Sequence, residues 1–506
     1  MSKSSYYITT PIYYVNDAPH IGHAYTSLAC DVMARFMRLN GSEVKFLTGT
    51  DEHGQKVEKA AANAGVSPQE FTDKVSERFR ELTKIMNFSN DDFIRTTEKR
   101  HIRSAQSLWN KIKDNGHIYL GKYAGWYAIR DEAFYAESEL VDGKAPTGAP
   151  VEWVEESSYF FDLSKWQDKL LKFYEDNPDF IMPESRRNEV ISFVKGGLTD
   201  LSVSRTSFKW GVPVPGDQEH IMYVWIEALA NYISALAYAT ENVEEFDKFW
   251  PADVHMVGKD IIRFHAVYWP AFLMAADLEV PKRVFAHGWW TNEGQKISKS
   301  LGNVIDPVKL VEEYGLEQVR YFLLREVPFG NDGNFSKTAL INRVNSELAN
   351  NIGNLVQRSL SMINKNCEAK VPEYDGNYNE LLDHAKTVFP AIKEAMSVQN
   401  FTEALEIIVC LAKEANSYID EQAPWTLKKE NPERMKVVLY KLAETVRYIA
   451  ILLQPFVPNA ASNILDQLAV PEDKRTFKFL NQEFALVPGT TLPTPYGVFP
   501  RLEVKD

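Results

Sequence analysis

Two histidines bracket a glycine in Pro19-His20-Ile21-Gly22-His23, and two lysines alternate with hydroxyls in Lys296-Ile297-Ser298-Lys299-Ser300. Both clusters suit phosphate. Imidazoles donate hydrogen bonds to phosphate oxygens, and Gly22 lacks the Cβ that would keep a nucleotide away from the backbone. The lysines lie in a polar loop, TNEGQKISKSLGN, able to close over a polyphosphate. Each string alone has a plainer meaning, a polar turn with two surface histidines or a solvated basic loop. From the residue types alone, both readings of each string stay open.

Other residues could complete such a site. Asp51 follows an apolar run and opens Asp51-Glu52-His53-Gly54, so it either receives a cationic amino group or caps a turn. Asp260, after VHMVG, could bind ribose hydroxyls beside Gly258. Arg205, in SVSRTSFKWGVPVP, is either a phosphate ligand or half of a surface ion pair. Trp225, Ala228, Leu229 and Tyr232 share one helix face at i, i+3, i+4 and i+7. That stripe serves equally as core or as the wall of an apolar pocket. Ile261, His265 and Tyr268 share another face, where a single histidine is more often a core residue than a ligand.

These side chains need elements to hold them. Residues 6–14 read as a buried strand, followed by a turn and a helical pattern from Ile21 onward. The histidines then sit at a helix N-terminus, whose free N–H groups and dipole favour phosphate. Residues 43–48, 254–258 and 283–289 read as further strands, and 261–274 as a helix. Ligands of open α/β sheets bind at the carboxyl ends of such strands. Residues 116–211 are rich in aromatics and turns, the pattern of an α/β insertion between two halves of a nucleotide-binding sheet. Residues 336–468 read as some five amphipathic helices with short loops, and the proline-rich tail as a strap. Asn354 and Arg358 are neighbours on the first long helix, and Trp425 follows Ala423-Pro424. They could stack an unpaired base and read its edge, or be a buried tryptophan beside a surface polar pair.

A chain of 506 residues predicts two to four domains. No run of 18 apolar residues is present, so no membrane span is expected, and the start MSKSSYY leads into a strand rather than a signal peptide. Cys30, Cys367 and Cys410 are far apart and make no zinc quartet, and the cytoplasm is the default compartment. A net charge of −13 argues mildly against nucleic-acid binding, although one basic face suffices for a folded RNA.

Taken together, PIYYVNDAPHIGH, TGTDEHG, SRTSFKWGVPVP, VGKDIIRFH, HGWW, KISKS, NLVQR and DEQAPW resemble the methionyl branch of the class I aminoacyl-tRNA synthetases over nearly the whole chain. Ile297 replaces the usual Met of KMSKS, one apolar residue for another. The resemblance implies a Rossmann-like parallel-sheet catalytic domain with an inserted connective α/β domain, then an all-α anticodon-binding helix bundle. The expected boundaries are 1–115 and 223–290 for the two catalytic halves, 116–222 for the insertion, 291–335 for the KISKS loop and connector, and 336–506 for the bundle and strap. It implies ATP-dependent ligation of L-methionine to tRNA(Met) through methionyl-adenylate, by a monomer with Mg²⁺ carried on ATP. His20, His23, Lys296, Lys299 and Arg205 would be catalytic, and Gly22, Gly258, Asp260 and Ser298 would join them in binding ATP. Ile12, Tyr14, Trp225, Ala228, Leu229, Tyr232, Ile261, His265 and Tyr268 would line the methionine pocket, with Asp51 on the ammonium. Asn354, Arg358 and Trp425 would read the anticodon. The insertion lacks cysteine, so no structural zinc is expected, and the spacing leaves no room for a hydrolytic editing domain.

Overall fold

The computed structural model describes residues 4–15, 18–240, 242–297, 302–374, 376 and 380–503, with Tyr123 described by its backbone alone. Ser298, Lys299 and Ser300 lie outside the described residues. The chain divides into two compact units. One contains Ser5–Cys30 and Val44–His287, the other Asp31–Glu43 and the chain from Gly288 onward.

The first unit is organised by a parallel sheet. Its strands come from apolar, β-branched runs: β1 (Ser5–Thr9), β2 (Tyr13–Tyr14), β3 (Glu43–Asp51), β4 (Asp92–Arg95), and, after the insertion, strands at Val254–Gly258 and Val284–His287. Helix α1 (Ile21–Leu39) follows β2, and α2 (Lys99–Asp114) follows β4. The connective segment opens with β5 (Ile118–Ala128), β6 (Ala133–Tyr135) and β7 (Glu152–Phe161), an antiparallel sheet in which β5 and β7 pair from Ile118–Phe161 to Tyr127–Glu152. Within 116–222 the chain also returns one strand, β8 (Ile181–Met182), to the parallel sheet. With β9 (Val254–Gly258) and β10 (Val284–His287), the strand order is β2-β3-β1-β9-β10-β8, and β4 also pairs with β3. Parallel strands covered on both faces need continuous apolar sequence, which Phe46, Leu47, Met256, Val257 and Phe285 supply. At Gly49 a Cβ would lie 2.0 Å from the Ile94 carbonyl oxygen, so only glycine lets β4 close against β3.

Two predicted helices are not regular. The run after Tyr223 is split into α3 (Val224–Leu229) and α4 (Asn231–Ser234). Asn231 explains the break, because its side-chain amide donates to the Ala228 carbonyl at 2.7 Å and competes with the helix ladder. The stretch 261–274 begins with a 3₁₀ turn (Lys259–Ile261), widens to a π-helical segment (Phe264–Tyr268), and only then becomes α5 (Trp269–Ala275). Wide turns of this kind are frequent at functional sites.

In the second unit, β11 (Trp290–Asn292) pairs antiparallel with β12 (Gln295–Lys296) and parallel with β13 (Gly333–Phe335). Glu293 (φ 49°) and Gly294 (φ 79°) both take left-handed conformations, as a two-residue hairpin requires. Lys296 is thus the last residue of a hairpin strand rather than part of an irregular loop. After the connector helices α6 (Pro307–Tyr314) and α7 (Leu316–Arg325), the helical region contains α8 (Lys337–Arg343), a π-helical segment (Val344–Gly353), α9 (Asn354–Asn366), α10 (Glu380–Ser397), α11 (Phe401–Gln422), α12 (Pro424–Glu430), α13 (Pro432–Leu453) and α14 (Pro458–Gln467). No helix is long and apolar enough to cross a membrane among the described residues.

Candidate active site

The parallel sheet brings the carboxyl ends of β3 and β9 to the same edge, so Asp51 and Gly258 finish their strands on the side where ligands of such sheets bind. His20 precedes α1 and His23 lies in its first turn. Their rings approach to 3.8 Å between centroids. The Gly22 N–H donates to His20 Nδ1 at 3.0 Å, and the His20 N–H donates to His23 Nδ1 at 3.1 Å. Each Nδ1 is therefore an acceptor, which leaves the proton on Nε2 as a donor. Burial lowers the pKa of His20, against the opposing charge of Asp260, and lowers that of His23 well below the usual imidazole value, with His20 adding to the effect. The rings are neutral donors at neutral pH. Gly22 serves a nearer neighbour than a nucleotide, since a Cβ there would meet His20 Cε1 at 2.9 Å.

Gly258 is packed just as closely by Asp260, whose Oδ1 would lie 2.6 Å from a Cβ at 258. Asp260 is exposed, and its charge opposes the effect of burial on His20. In the other unit, exposed Lys296 has its Nζ 5.9 Å from the centre of the half-exposed Trp289 ring.

An apolar wall forms beside this edge. Ile12, Trp225, Ile261 and Tyr268 are half-buried and pack on the core that contains buried Leu229 and Tyr232, while Ala228 is buried on the same helix and Tyr14 packs with Tyr13 in an adjoining cluster. Trp225 stacks on Phe264 at 3.7 Å and 7°, and stands 6.2 Å from the His265 ring. His265 Nδ1 donates to the Ile261 carbonyl at 3.0 Å, so its Nε2 accepts from Tyr232 Oη at 2.6 Å. Burial brings the His265 pKa down to about 4, which keeps that acceptor unprotonated. Tyr232 also stacks on His255 at 4.0 Å, and His255 Nδ1 meets Thr9 Oγ1 at 2.7 Å.

Asp51 is 8% exposed, and its Oδ1 has no hydrogen-bond partner. Burial, then the charges of Glu227 and Glu132, push its carboxyl well above the usual carboxylate range. Such a group is completed by a cation. Two neighbours carry no signal in the motifs: fully buried Glu227, with buried His101 3.4 Å from it, and Glu132, which accepts from Tyr14 Oη at 2.7 Å. A lone glutamate in the apolar string VWIEAL marks Glu227 in retrospect. Glu52, by contrast, is bound twice by Arg95, Nε to Oε1 at 2.7 Å and Nη2 to Oε2 at 3.0 Å.

Arg205 is not on a surface turn. It is 2% exposed, with its guanidinium 4.4 Å from the Phe134 ring centre and 4.5 Å from that of Tyr223, and it donates to Ser202 Oγ and the Ser204 carbonyl. The antiparallel pairing of Ser204–Arg205 with Asp217–Met222 folds it inward, among the aromatic rings of the connective segment.

In the helical region Asn354 is exposed, Arg358 half-buried and Trp425 47% exposed. Arg358 donates to Asp420 at 2.7 Å and lies 5.6 Å from the Trp425 ring centre. Trp425 is therefore not a core tryptophan. Among the described residues no group of three or more His, Cys, Asp or Glu is arranged to hold a metal.

A parallel nucleotide-binding sheet with paired histidines at its carboxyl edge, and a helical domain after it, defines a class I aminoacyl-tRNA synthetase. The profile of "tRNA synthetases class I (M)" matches residues 6–150 and 139–360, and that of the "Anticodon binding domain of methionyl tRNA ligase" matches 371–506. The methionine–tRNA ligases of Rickettsia conorii and Mesorhizobium japonicum are similar at 62% and 56% identity, covering 99% of this chain and 100% and 98% of theirs. The Mycobacterium tuberculosis methionyl-tRNA synthetase in complex with methionyl-adenylate superposes with a TM-score of 0.95 at 51% identity, over 98% of this chain and 100% of that one. The apo form of that enzyme gives 0.90 at 47% identity, over 100% of this chain and 99% of that one. The chain belongs to the methionyl-tRNA synthetase family.

Proposed function

We infer that this chain ligates L-methionine to tRNA(Met) in two steps. The methionine carboxylate attacks the ATP α-phosphorus and releases pyrophosphate. The 2′-hydroxyl of the terminal tRNA adenosine then takes the acyl group and releases AMP. One observation carries the amino-acid half: an unpartnered, buried Asp51 oxygen near an apolar wall rich in aromatic rings. The carboxylate receives the ammonium, and the rings of Trp225, Tyr232 and Tyr268 favour a polarizable thioether.

Neither step needs a covalent nucleophile, so catalysis is orientation and charge stabilisation. His20 and His23 donate from Nε2 to phosphate oxygens as negative charge develops. Lys296, Ser298 and Lys299 hold the departing pyrophosphate, and Gly258 and Asp260 receive the ribose. ATP would enter as its Mg²⁺ complex, the cation keeping most of its waters and compensating part of the triphosphate charge. Arg205 has no phosphate role in this assignment; it orders the connective segment. Asn354, Arg358 and Trp425 read the CAU anticodon. The enzyme works as a cytoplasmic monomer. A pocket separates ligands differing by one methylene by only about 1–3 kcal/mol, so homocysteine is activated too and is rejected as its thiolactone.

Pyrophosphate exchange across the twenty amino acids tests this, followed by charging of tRNAs with altered anticodons. Methionine-dependent exchange and loss of charging outside CAU are expected. Exchange driven by another amino acid alone refutes the assignment.

A further inference from the structure

Glu227 has no part in the mechanism above, yet it is fully buried within the apolar helix α3. His53 Nδ1 lies 2.6 Å from its Oε1, and His101 Nε2 lies 3.4 Å from the same oxygen. Its other oxygen is buried with no hydrogen-bond partner, as is Asp51 Oδ1. Of the charges acting on Asp51, that of Glu227 is the strongest, ahead of Glu132 and Glu52. The other two carboxylates have cations beside them: Arg95 binds Glu52, and Lys56 lies near Glu132. Among the described residues Glu227 has only imidazoles. Two buried carboxylates that feel one another's charge, each with an unmade hydrogen bond, are costly unless a cation joins them.

We propose that Glu227, hydrogen-bonded by His53 with the His101 ring alongside, is a positioning residue for the substrate ammonium, holding a second negative charge near Asp51 so that the site selects a primary ammonium over a neutral or missing amino group. This inference rests on the amino-acid-activating function given above.

The two carboxylates are shifted in opposite directions. Burial pushes Glu227 up, but His53 and His101 outweigh it and hold the group at about 2, so Glu227 stays ionised. Asp51 is buried and faces Glu227 from α3, Glu132 from the turn before β6, Tyr14 from β2, and Glu52 and His53 from its own segment. Its carboxyl therefore holds a proton more tightly in the empty site than an ordinary carboxyl does. An arriving ammonium displaces that proton to solvent and leaves a carboxylate–ammonium pair. Methionine affinity then rises with pH up to the Asp51 pKa and is flat above it. Replacing Glu227 by a neutral residue moves that bend to lower pH, a shift that loss of packing alone does not cause.

Titration calorimetry with L-methionine and with its desamino analogue, 4-(methylsulfanyl)butanoate, tests this for wild type and Glu227→Gln. Measurements span about pH 6 to pH 8 in two buffers of different ionisation enthalpy. The expected result is methionine binding weakened on the order of tenfold in the variant, an acid shift of the bend, and analogue binding changed less than about twofold. Equal weakening of both ligands overturns the proposal, as does an unchanged methionine affinity and bend. Should Glu227→Gln not fold, wild type decides: more protons released per methionine than per analogue between about pH 6 and pH 8 is expected, and equal release overturns it. Failure of wild type to bind methionine refutes the function itself, and this inference with it.

Discussion

His20 and His23 lie with ring centres 3.8 Å apart and planes tilted by 32°, both Nδ1 atoms engaged by backbone N–H groups, so the two rings aim their Nε2 protons with little freedom to turn. Glutamine can place an amide donor near the Nε2 position, whereas asparagine reaches only as far as Nδ1. His23→Asn is expected to lower the turnover of methionine-dependent pyrophosphate exchange about 10²- to 10³-fold, the usual cost of an oxyanion donor. His23→Gln should retain more. Equal losses in the two variants would show that the donor position is not what matters.

Acid should destabilise the first unit through its buried imidazoles. His265 has its folded pKa lowered to about 4, and those of His23 and His255 are also lowered by burial. The unfolded chain binds these protons first, near an ordinary value of about 6.5. Stability is therefore full above about pH 6.5 and falls as pH drops toward 4, by about 3 kcal/mol for His265 alone. Urea midpoints measured across that interval check the slope, and His265→Gln should flatten it. Glu227, held at about 2, acts in the same sense at lower pH: its stabilisation is lost as pH falls from the ordinary carboxylate range toward 2.

Two glycines should fail differently. At Gly49 an added Cβ would lie 2.0 Å from a backbone oxygen, which cannot step aside without parting two strands. Gly49→Ala is expected to destabilise by at least about 3 kcal/mol. At Gly22 the obstacle is the movable His20 ring at 2.9 Å. Gly22→Ala should leave the melting temperature nearly unchanged and depress exchange about tenfold or more by turning the ring away. Thermal scans beside kinetic assays separate the two outcomes.

Strands and the histidine turn were legible because apolar runs and polar turns are local signals. The break between α3 and α4 was not, since it depends on where the Asn231 amide finds an acceptor. Nor was the π-helical segment carrying His265, because spacings of three and four describe any regular helix and cannot reveal one wide turn. His53 and Glu227 are 174 positions apart, and no periodicity links them. The burial of Arg205 was illegible for a simpler reason: arginines are seldom buried, and this one is covered by aromatic rings that the hairpin gathers.

Trp425 and Arg358 should matter to RNA and little to adenylate chemistry. Stacking a base on an indole contributes about 1–3 kcal/mol, so Trp425→Ala is expected to cut charging efficiency by about 5- to 150-fold. Methionine-dependent pyrophosphate exchange in the absence of tRNA should fall far less. A parallel loss of both activities would place Trp425 in the fold rather than at the anticodon.

Ala423 adopts a left-handed conformation (φ 43°, ψ 60°) between α11 and α12, and Pro424 starts the second of these. One pair of dihedral angles thus sets the compass bearing of the indole two residues later. Were the chain to continue α11 without this corner, each further residue would swing about 100° around the axis, and the same tryptophan would look in another direction. The tip of the helical hairpin is in effect a signpost whose post is a single alanine, so drift at that position rewrites what the hairpin can address while leaving every nucleotide-facing side chain intact.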